Sequence, residues 1–325
     1  MRAKVFIKRL IADYTSMDVT NTAFFLLLAI VTPMYSCVVP GWGLFVLADA
    51  AILITIGVTA RFSSRRGHSW NLAHGFYMML CIPIAFKQMY HLVPAMHPID
   101  YDAALMAIDH AVFGLNPTQW LSRFQHPLLT EILQIAYASF YLLFLILAVD
   151  LYRMRRMKAF KMVFMIVILG FYLSYLGYVA VPAIGPRFTL HEFERTDTEL
   201  PGLFVTSALR TYTNTGESIP PGTRNPASVV QRDVFPSGHT QITLLVMFLA
   251  FRFRARWRWP LAVTGSLLII ATVYLRYHYV IDLIGGALFA ILTLQLGWRL
   301  EDWWESIRRR AASSLRRARI RELKA

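Results

Sequence analysis

The sequence predicts an all-α protein, a polytopic bundle of about eight membrane-spanning helices, and two observations lead to this fold class. Of the 325 residues, 56% are hydrophobic and only 16% are charged, whereas soluble domains carry roughly 25% charged residues. The apolar residues also fall in runs close to the ~20 residues that a membrane span requires, with the charges between them. This pattern excludes a disordered chain, which would be polar and poor in aromatic residues.

Eight apolar runs are the candidate spans. They cover residues 22–39, 42–60, 72–93, 128–151, 159–181, 238–253, 260–277 and 279–298. The sixth run is short, so we expect it to be tilted, extended by loop residues or placed where the bilayer is thin. Arg276-Tyr277-His278 interrupts the last long apolar stretch, which predicts two helices joined by a tight turn.

The distribution of positive charge predicts the orientation of these spans. Most of the 33 Lys and Arg residues lie at the two ends of the chain and in alternate connections between spans. Cytoplasmic segments carry an excess of Lys and Arg, so we expect a cell-membrane protein with both termini in the cytoplasm. The long connection 183–237 then lies on the extracytoplasmic side. Because the charge is spread between apolar runs, the net charge of +14 does not indicate nucleic-acid binding.

Two charged segments flank the integral membrane part at 22–298. The tail, 299–325, repeats apolar residues at helical spacing with arginines on its other faces. This predicts a cytoplasmic amphipathic helix lying on anionic lipid headgroups, with a solvated, frayed tail as the alternative. The leader, 1–21, is a weaker example of the same pattern.

The strongest chemical motif is Pro236-Ser237-Gly238-His239. We expect Pro236 to begin a helix, where its missing N–H has no cost, and Gly238 to leave room for a ligand. Free backbone N–H groups at Ser237, Gly238 and His239 would then form an anion site. His239 adds a proton donor at the same place.

A second motif, His278-x3-Asp282, places both side chains on one helical face. Asp282 can accept from one ring nitrogen of His278 and leave the other as a lone pair, which makes His278 a nucleophile or base. A purely structural hydrogen bond is the alternative for this spacing alone. In the predicted topology, however, His239 and His278 lie on the same side of the membrane.

Three cations are candidates for binding a negatively charged substrate group. Arg187 follows Gly185-Pro186 at the outer end of the fifth predicted span, and Arg276 lies two residues before His278. Either guanidinium could bind phosphate oxygens. A headgroup contact is the alternative for Arg187, and snorkelling to the interface is the alternative for Arg276. Lys87 lies inside the third predicted span and is either structural or part of the same substrate site.

The two histidine motifs resemble those of the type 2 phosphatidic acid phosphatase superfamily. That family is marked by three blocks: a Lys/Arg block with Arg-Pro, then Pro-Ser-Gly-His, and finally Ser-Arg-x5-His-x3-Asp. Residues 236–239 match the second block, and His278 with Asp282 matches the end of the third. The resemblance covers the final third of the chain and implies a six-helix core of the phosphatidic-acid-phosphatase type at about 128–298.

The chain departs from that pattern at two points. Ala271-Thr272 stands where the third block has Ser-Arg, so Arg276 is the candidate substitute, and the first block is reduced to Gly-Pro-Arg at 185–187. With the eight predicted spans, these departures are most similar to the inositol phosphorylceramide synthase (inositol phosphotransferase) branch and its bacterial relatives.

The resemblance implies an enzyme that acts on a phospholipid phosphoryl group through a phosphohistidine-type intermediate. It implies transfer of an inositol-phosphate-like headgroup from a phospholipid to a lipid or polyol acceptor. The alternative is a phosphatase that uses water on phosphatidic acid or polyprenyl pyrophosphate. A membrane transporter or scaffold is less favoured, because the polar residues gather at one interface. The implied catalytic residues are His278, Asp282 and His239, and the phosphate-binding residues are Arg187, Arg276, Ser237, Gly238 and Lys87.

No metal or other cofactor is expected for this chemistry. Asp100, Asp102 and Asp109 precede the fourth predicted span and are interpreted as helix caps rather than as a metal cluster. Glu131 lies inside that span without an obvious partner, and a satisfied contact between helices or an interfacial position is expected for it.

Overall fold

The computed structural model describes residues 2–66 and 68–324, with side chains described for 6–62, 70 and 73–317. Met1, Gly67 and Ala325, which belong to the predicted leader, a connection and the tail, lie outside the described residues. The described residues contain no β-strand, which agrees with the predicted all-α class. In chain order the α-helices are α1 (Arg2–Asp13), α2 (Ser16–Met34), α3 (Trp42–Arg66), α4 (His68–Met96), α5 (Asp102–Phe113), α6 (Pro117–Leu121), α7 (Pro127–Ala138), α8 (Phe140–Arg153), α9 (Met157–Ala180), α10 (Pro186–Thr189), α11 (Thr196–Glu199), α12 (Thr206–Gly216), α13 (Pro226–Val229), α14 (Gly238–Arg252), α15 (Arg258–Tyr274) and α16 (Val280–Lys324).

Five of the described helices are long and apolar enough to cross a membrane, so the chain is a multi-pass membrane protein. They are α2, α3, α4, α9 and α16. A sixth candidate is the pair α7 and α8, which is bent by 55° at Ser139 and is either one broken span or a re-entrant loop. The remaining two predicted spans correspond to α14 and α15, with 15 and 17 residues. Length and composition therefore support five or six spans rather than eight, and crossings by α14 and α15 stay predictions.

The chain forms two compact units, and the first comprises Met1–Leu92, Phe164–Tyr172 and Thr293–Ala325. Its buried polar side chains bond one another, as a bilayer interior requires. Asp18 lies 2.7 Å from the ring nitrogen of His74. The amide of Gln88 donates to Asp49 at 3.0 Å and to Thr32 at 2.8 Å. Lys87 is the neighbour of Gln88 in this unit.

The predicted C-terminal tail is helical, but it is not a separate helix. α16 continues without a break through Arg299, so the tail is the end of the last helix. Within the first unit the tail contacts the leader: Trp304 donates to the carbonyl of Tyr14 at 2.9 Å, and Arg308 donates to that of Ala12 at 3.1 Å. Binding of either segment to lipid headgroups stays a prediction.

The second unit comprises Val93–Val163 and Leu173–Leu292 and holds both histidine motifs. Its long connection, 183–237, is folded into the short helices α10 to α13. A buried apolar cluster joins this connection to α7 and α15. Its members are Leu133, Tyr137, Leu200, Ala271, Tyr274, Leu275 and Tyr277. The predicted tight turn between the last two helices is present, and Arg276 within it has a φ of 69°.

A glycine at the start of α16 brings the two histidine motifs together. A Cβ on Gly286 would lie 2.6 Å from the carbonyl oxygen of Ser237, which is closer than side chains approach backbone. We expect Gly286→Ala to destabilise the fold by about 1–3 kcal/mol, since the added methyl overpacks this contact. Thermal unfolding in detergent would measure the loss.

Gly43→Ala is the matched control, because a Cβ there would meet nothing within 4 Å. Equal unfolding temperatures for the two variants would contradict the close approach of α16 to Ser237.

Candidate active site

The two histidines predicted to share a face lie next to each other. His239 lies in the first turn of α14, His278 lies in the turn before α16, and their ring centroids are 5.8 Å apart. The backbone N–H of Ser237 donates to the carbonyl of Asp282 at 3.0 Å. A main-chain hydrogen bond therefore joins the two sequence motifs directly and fixes the spacing of their side chains.

The contacts of His278 define which of its ring nitrogens carries the proton. Its Nδ1 lies 3.0 Å from the carbonyl oxygen of Val234. Because a carbonyl can only accept a hydrogen bond, Nδ1 carries the hydrogen and Nε2 holds the lone pair. A neutral imidazole in this tautomer has a nucleophilic Nε2.

Asp282 contributes less directly to this orientation than the motif suggests. Its carboxylate lies 3.4 Å from Nδ1 of His278, which is longer than the contact with Val234. The same Oδ2 accepts from the N–H of Tyr279 at 2.8 Å. The predicted contact between Asp282 and the ring is thus present, but Val234 supplies the shorter one, and sequence reasoning missed it because a main-chain acceptor can belong to any residue type.

Aromatic rings hold His239 from one side. Its ring stacks on Tyr137 with centroids 4.5 Å apart, and Phe140 lies 4.3 Å away. Tyr137 stacks in turn on Tyr277 at 4.4 Å with nearly parallel planes. This row of rings, here called the aromatic wall (Tyr137, Phe140 and Tyr277), restricts the orientation of His239 and leaves little room for water on that side.

The N-terminus of α14 differs from the expectation in its first residues. The helix begins at Gly238, and Ser237 is the N-cap, whose hydroxyl accepts from the N–H of Thr240 at 3.2 Å. Pro236 therefore precedes the helix instead of beginning it. The N–H of Ser237 is not free, since Asp282 accepts it. The N–H groups of Gly238 and His239 remain at the helix start, where a helix supplies no partner.

Gly238 serves packing rather than ligand access. A Cβ at this position would collide with the hydroxyl of Tyr178 on α9 and would lie 3.6 Å from that of Ser174. The expectation that Gly238 leaves room for a ligand is therefore corrected. Its missing side chain lets α14 approach α9.

Arg187 lies at the far end of the aromatic wall. Its buried guanidinium lies 4.8 Å from the ring centroid of Tyr277, and its charge acts electrostatically on both His239 and His278. Nη1 donates to Asn214 at 3.1 Å, and Nη2 forms an ion pair with Glu217. Burial alone would lower the pKa of Arg187, but the carboxylate of Glu217 outweighs it and the net change is upward. Nε is buried without a hydrogen-bond partner among the described residues.

Arg276 faces the long connection. Its guanidinium forms an ion pair with Glu199 at 2.6 Å and lies 3.4 Å from the hydroxyl of Ser122. The hydrogen bond from Arg276 lowers the pKa of Glu199 below its usual range. These partners lie in the long connection and in the segment before α7 rather than at the histidines, so substitution of Arg276 for the missing family arginine stays a prediction. Lys87 belongs to the first unit, and its role in phosphate binding also stays a prediction.

Acidic side chains hold the segments that carry the site residues. Asp102 accepts from the N–H groups of Ile184 and Gly185 at 2.9 and 2.8 Å, just before Arg187. Asp109 accepts from those of Val280 and Ile281 at 2.7 and 2.8 Å, just after His278. Burial raises the pKa of both carboxyl groups, although these N–H groups oppose the change.

Two other acids have partners that the sequence did not predict. Asp100 pairs with Arg232 at 2.9 Å. Glu131 accepts four backbone N–H groups from residues 203–206 of the long connection, the last of which begins α12, so its carboxylate is satisfied as expected. Among the described side chains, those of residues 6–62, 70 and 73–317, no group of three or more His, Cys, Asp or Glu could hold a metal ion.

The fold and the site thus define a multi-pass membrane protein with a buried histidine pair beside a buried arginine. The family model of the PAP2 (type 2 phosphatidic acid phosphatase) superfamily matches residues 103–296, which include His239, His278 and Arg187. Since the match covers more than half of the chain, the protein belongs to this superfamily, whose members are phosphatases and phosphotransferases. No curated protein and no solved structure gives a significant match.

Proposed function

We propose that the protein is a His-dependent lipid phosphotransferase that moves a phosphorylated headgroup between lipids. The observation that carries the proposal is the contact of His278 Nδ1 with the carbonyl oxygen of Val234 at 3.0 Å, beside the ring of His239, whose centroid lies 5.8 Å from that of His278.

 Because Nδ1 of His278 donates its hydrogen to the carbonyl of Val234, Nε2 is the ring atom that can attack phosphorus. His239 is the neighbouring residue that transfers the proton.

The reaction proceeds in two displacements. In the first, Nε2 of His278 attacks phosphorus, a P–N bond forms, and the bond from phosphorus to the leaving oxygen breaks as His239 gives that oxygen a proton. In the second, His239 takes a proton from the acceptor hydroxyl, the acceptor oxygen attacks phosphorus, and the P–N bond breaks. Positioning and charge stabilisation carry most of the catalysis in phosphoryl transfer.

We propose that Arg187 and the N–H groups of Gly238 and His239 stabilise the phosphoryl oxygens. A helix N-terminus favours an anion, and a guanidinium binds phosphate with two parallel hydrogen bonds. Because Nη2 of Arg187 is paired with Glu217, an incoming phosphate must replace that carboxylate. Arg276 and Lys87 are proposed as secondary phosphate contacts, and Ser237 and Asp282 as positioning residues.

Glu217→Gln is expected to lower KM for an anionic phospholipid several-fold with little change in kcat, since an amide competes less well than a carboxylate for Arg187. Initial rates in mixed micelles, at several lipid fractions, would measure both constants.

Glu199→Gln is the comparison variant, because Glu199 pairs with Arg276, which is proposed only as a secondary phosphate contact. Its KM should fall less than that of Glu217→Gln, and an equal fall would make Arg276 a primary phosphate-binding residue. An unchanged or higher KM for Glu217→Gln would contradict displacement of Glu217 by the substrate.

The alternative is a lipid phosphate phosphatase, with water as the acceptor and phosphatidic acid or a polyprenyl pyrophosphate as substrate. Both reactions use the same histidines. The aromatic wall favours transfer, because its rings leave little room for water beside His239. The resemblance to the inositol phosphorylceramide synthase branch supports an inositol-phosphate-like headgroup. A transporter or scaffold would not need the tautomer that Val234 imposes on His278.

The deciding experiment is incubation of the purified protein with labelled phosphatidic acid or phosphatidylinositol, with and without ceramide or diacylglycerol. A new phospholipid that appears only with an acceptor supports the transferase, and release of free phosphate supports the phosphatase. Turnover of neither lipid would contradict the proposal. We also propose that both termini are cytoplasmic and that the site lies on the extracytoplasmic side, as the positive charges suggest.

A further inference from the structure

Three consecutive apolar residues project from the long connection immediately before α12. Leu203, Phe204 and Val205, here called the apolar finger, are 48%, 91% and 41% exposed. Single exposed apolar residues are common on protein surfaces, but a contiguous exposed apolar patch marks an interaction site. The finger therefore requires a partner.

The finger is held in a defined position by one carboxylate. Glu131 on α7 accepts from the N–H of Leu203 at 2.9 Å, of Phe204 at 3.2 Å and of Val205 at 2.7 Å. It also accepts from the N–H of Thr206 at 3.3 Å and from its hydroxyl at 2.6 Å. These bonds use the backbone of the finger and leave its apolar side chains pointing outward.

The position of Glu131 on α7 indicates what the finger faces. Leu128 and Ile135 lie three residues before and four residues after Glu131, so all three share one helical face. Both flanking side chains are about half exposed, at 50% and 48%. Because α7 is the first half of a candidate span, this exposed apolar face is one that lipid can cover. Glu131 can lie on it only because the finger satisfies its oxygens.

We propose that the apolar finger inserts into the bilayer leaflet beside α7. It continues the exposed apolar surface of that helix. Its apolar side chains gain free energy when acyl chains replace water around them. The occupant of this surface is thus the bilayer itself, and not a protein partner or a second copy of the chain.

The insertion has a consequence for the site. α12 begins at Thr206, directly after the finger, and its last turn carries Asn214, with Glu217 just beyond it. Both of these residues bind Arg187. The finger therefore fixes one end of the helix whose other end holds the buried arginine, and the depth of the finger sets the position of α12 over the site.

Depth-dependent quenching tests this inference without reference to enzymatic activity. A variant with Cys37→Ser removes the exposed cysteine, and Cys81 is buried. Phe204→Cys in that background is labelled with an environment-sensitive fluorophore and reconstituted into vesicles. Arg224→Cys, at an exposed position of the same connection, is the matched control, and Leu203→Cys is a second finger position in case the first variant fails to fold.

Lipids with a nitroxide on the acyl chain should quench the label at 204 at least about twofold more than the label at 224. Aqueous iodide should quench the label at 224 more than the label at 204. Equal iodide quenching at both positions would overturn the inference. Protection of position 204 from both quenchers would also overturn it, because a protein contact would then cover the finger.

Discussion

Replacing His278 by alanine is expected to lower kcat by at least about 10⁴-fold and to remove any covalent phosphoenzyme. A nucleophile and the groups that act with it form a unit, so loss of the nucleophile removes nearly all of its contribution. In this protein Val234 fixes the tautomer of His278, and alanine supplies no atom at the position of Nε2. Turnover of labelled phospholipid, and incorporation of label into protein denatured at alkaline pH, where a P–N bond survives, would measure both effects.

His110→Ala is the matched control for that variant. His110 lies on α5, in the same unit, and is exposed. It should leave turnover and labelling unchanged. Retained labelling of His278→Ala would remove His278 from the mechanism as the nucleophile.

Substitution of Arg187 by lysine is expected to raise KM by about 10²-fold, with a smaller effect on kcat. Lysine keeps the charge, but it is a point donor and loses the planar, two-pronged contact of a guanidinium with phosphate. The substitution also removes the planar guanidinium that lies 4.8 Å from the ring centroid of Tyr277. Rates over a range of lipid fractions in mixed micelles would separate KM from kcat.

The double variant Arg187→Ala with Glu217→Gln separates phosphate binding from stability. Arg187→Ala alone leaves the partly buried Glu217 without its ion pair, and such a loss destabilises a fold. The double variant removes both charges, so it should fold better and still bind the lipid weakly. Unchanged activity at low substrate for Arg187→Lys would reassign Arg187 to a headgroup contact.

The helices of this protein could be predicted from sequence to a large extent. Long apolar runs and the interruption at Arg276 indicate the spans and the tight turn, because the bilayer imposes length and polarity on each segment. The unbroken course of α16 past Arg299 could not be predicted. A helical tail rich in basic residues has the same spacing of apolar and charged residues whether the helix bends at the membrane surface or continues straight. The bend of 55° at Ser139 left no sequence signal either.

The site could be predicted where a side chain carries the chemistry. His239 and His278 are adjacent in the structure, as the shared side of their motifs predicted. Contacts made by backbone or by packing were missed. Any residue at position 234 would supply the same carbonyl, so the sequence does not mark this contact. The need for glycine at position 238 follows from the hydroxyl of Tyr178, which is known only once α9 and α14 are packed together. The partners of the buried charges were also missed, because Glu217 and Glu131 meet theirs across long sequence separations.

The most direct test of the central claim is to trap the wild-type protein during turnover of a phospholipid labelled at phosphorus and to locate the label by mass spectrometry. The account predicts an acid-labile phosphohistidine on the peptide that contains His278, which disappears when an acceptor is added. Label on His239, or steady turnover with no covalent phosphoenzyme at any residue, would contradict it.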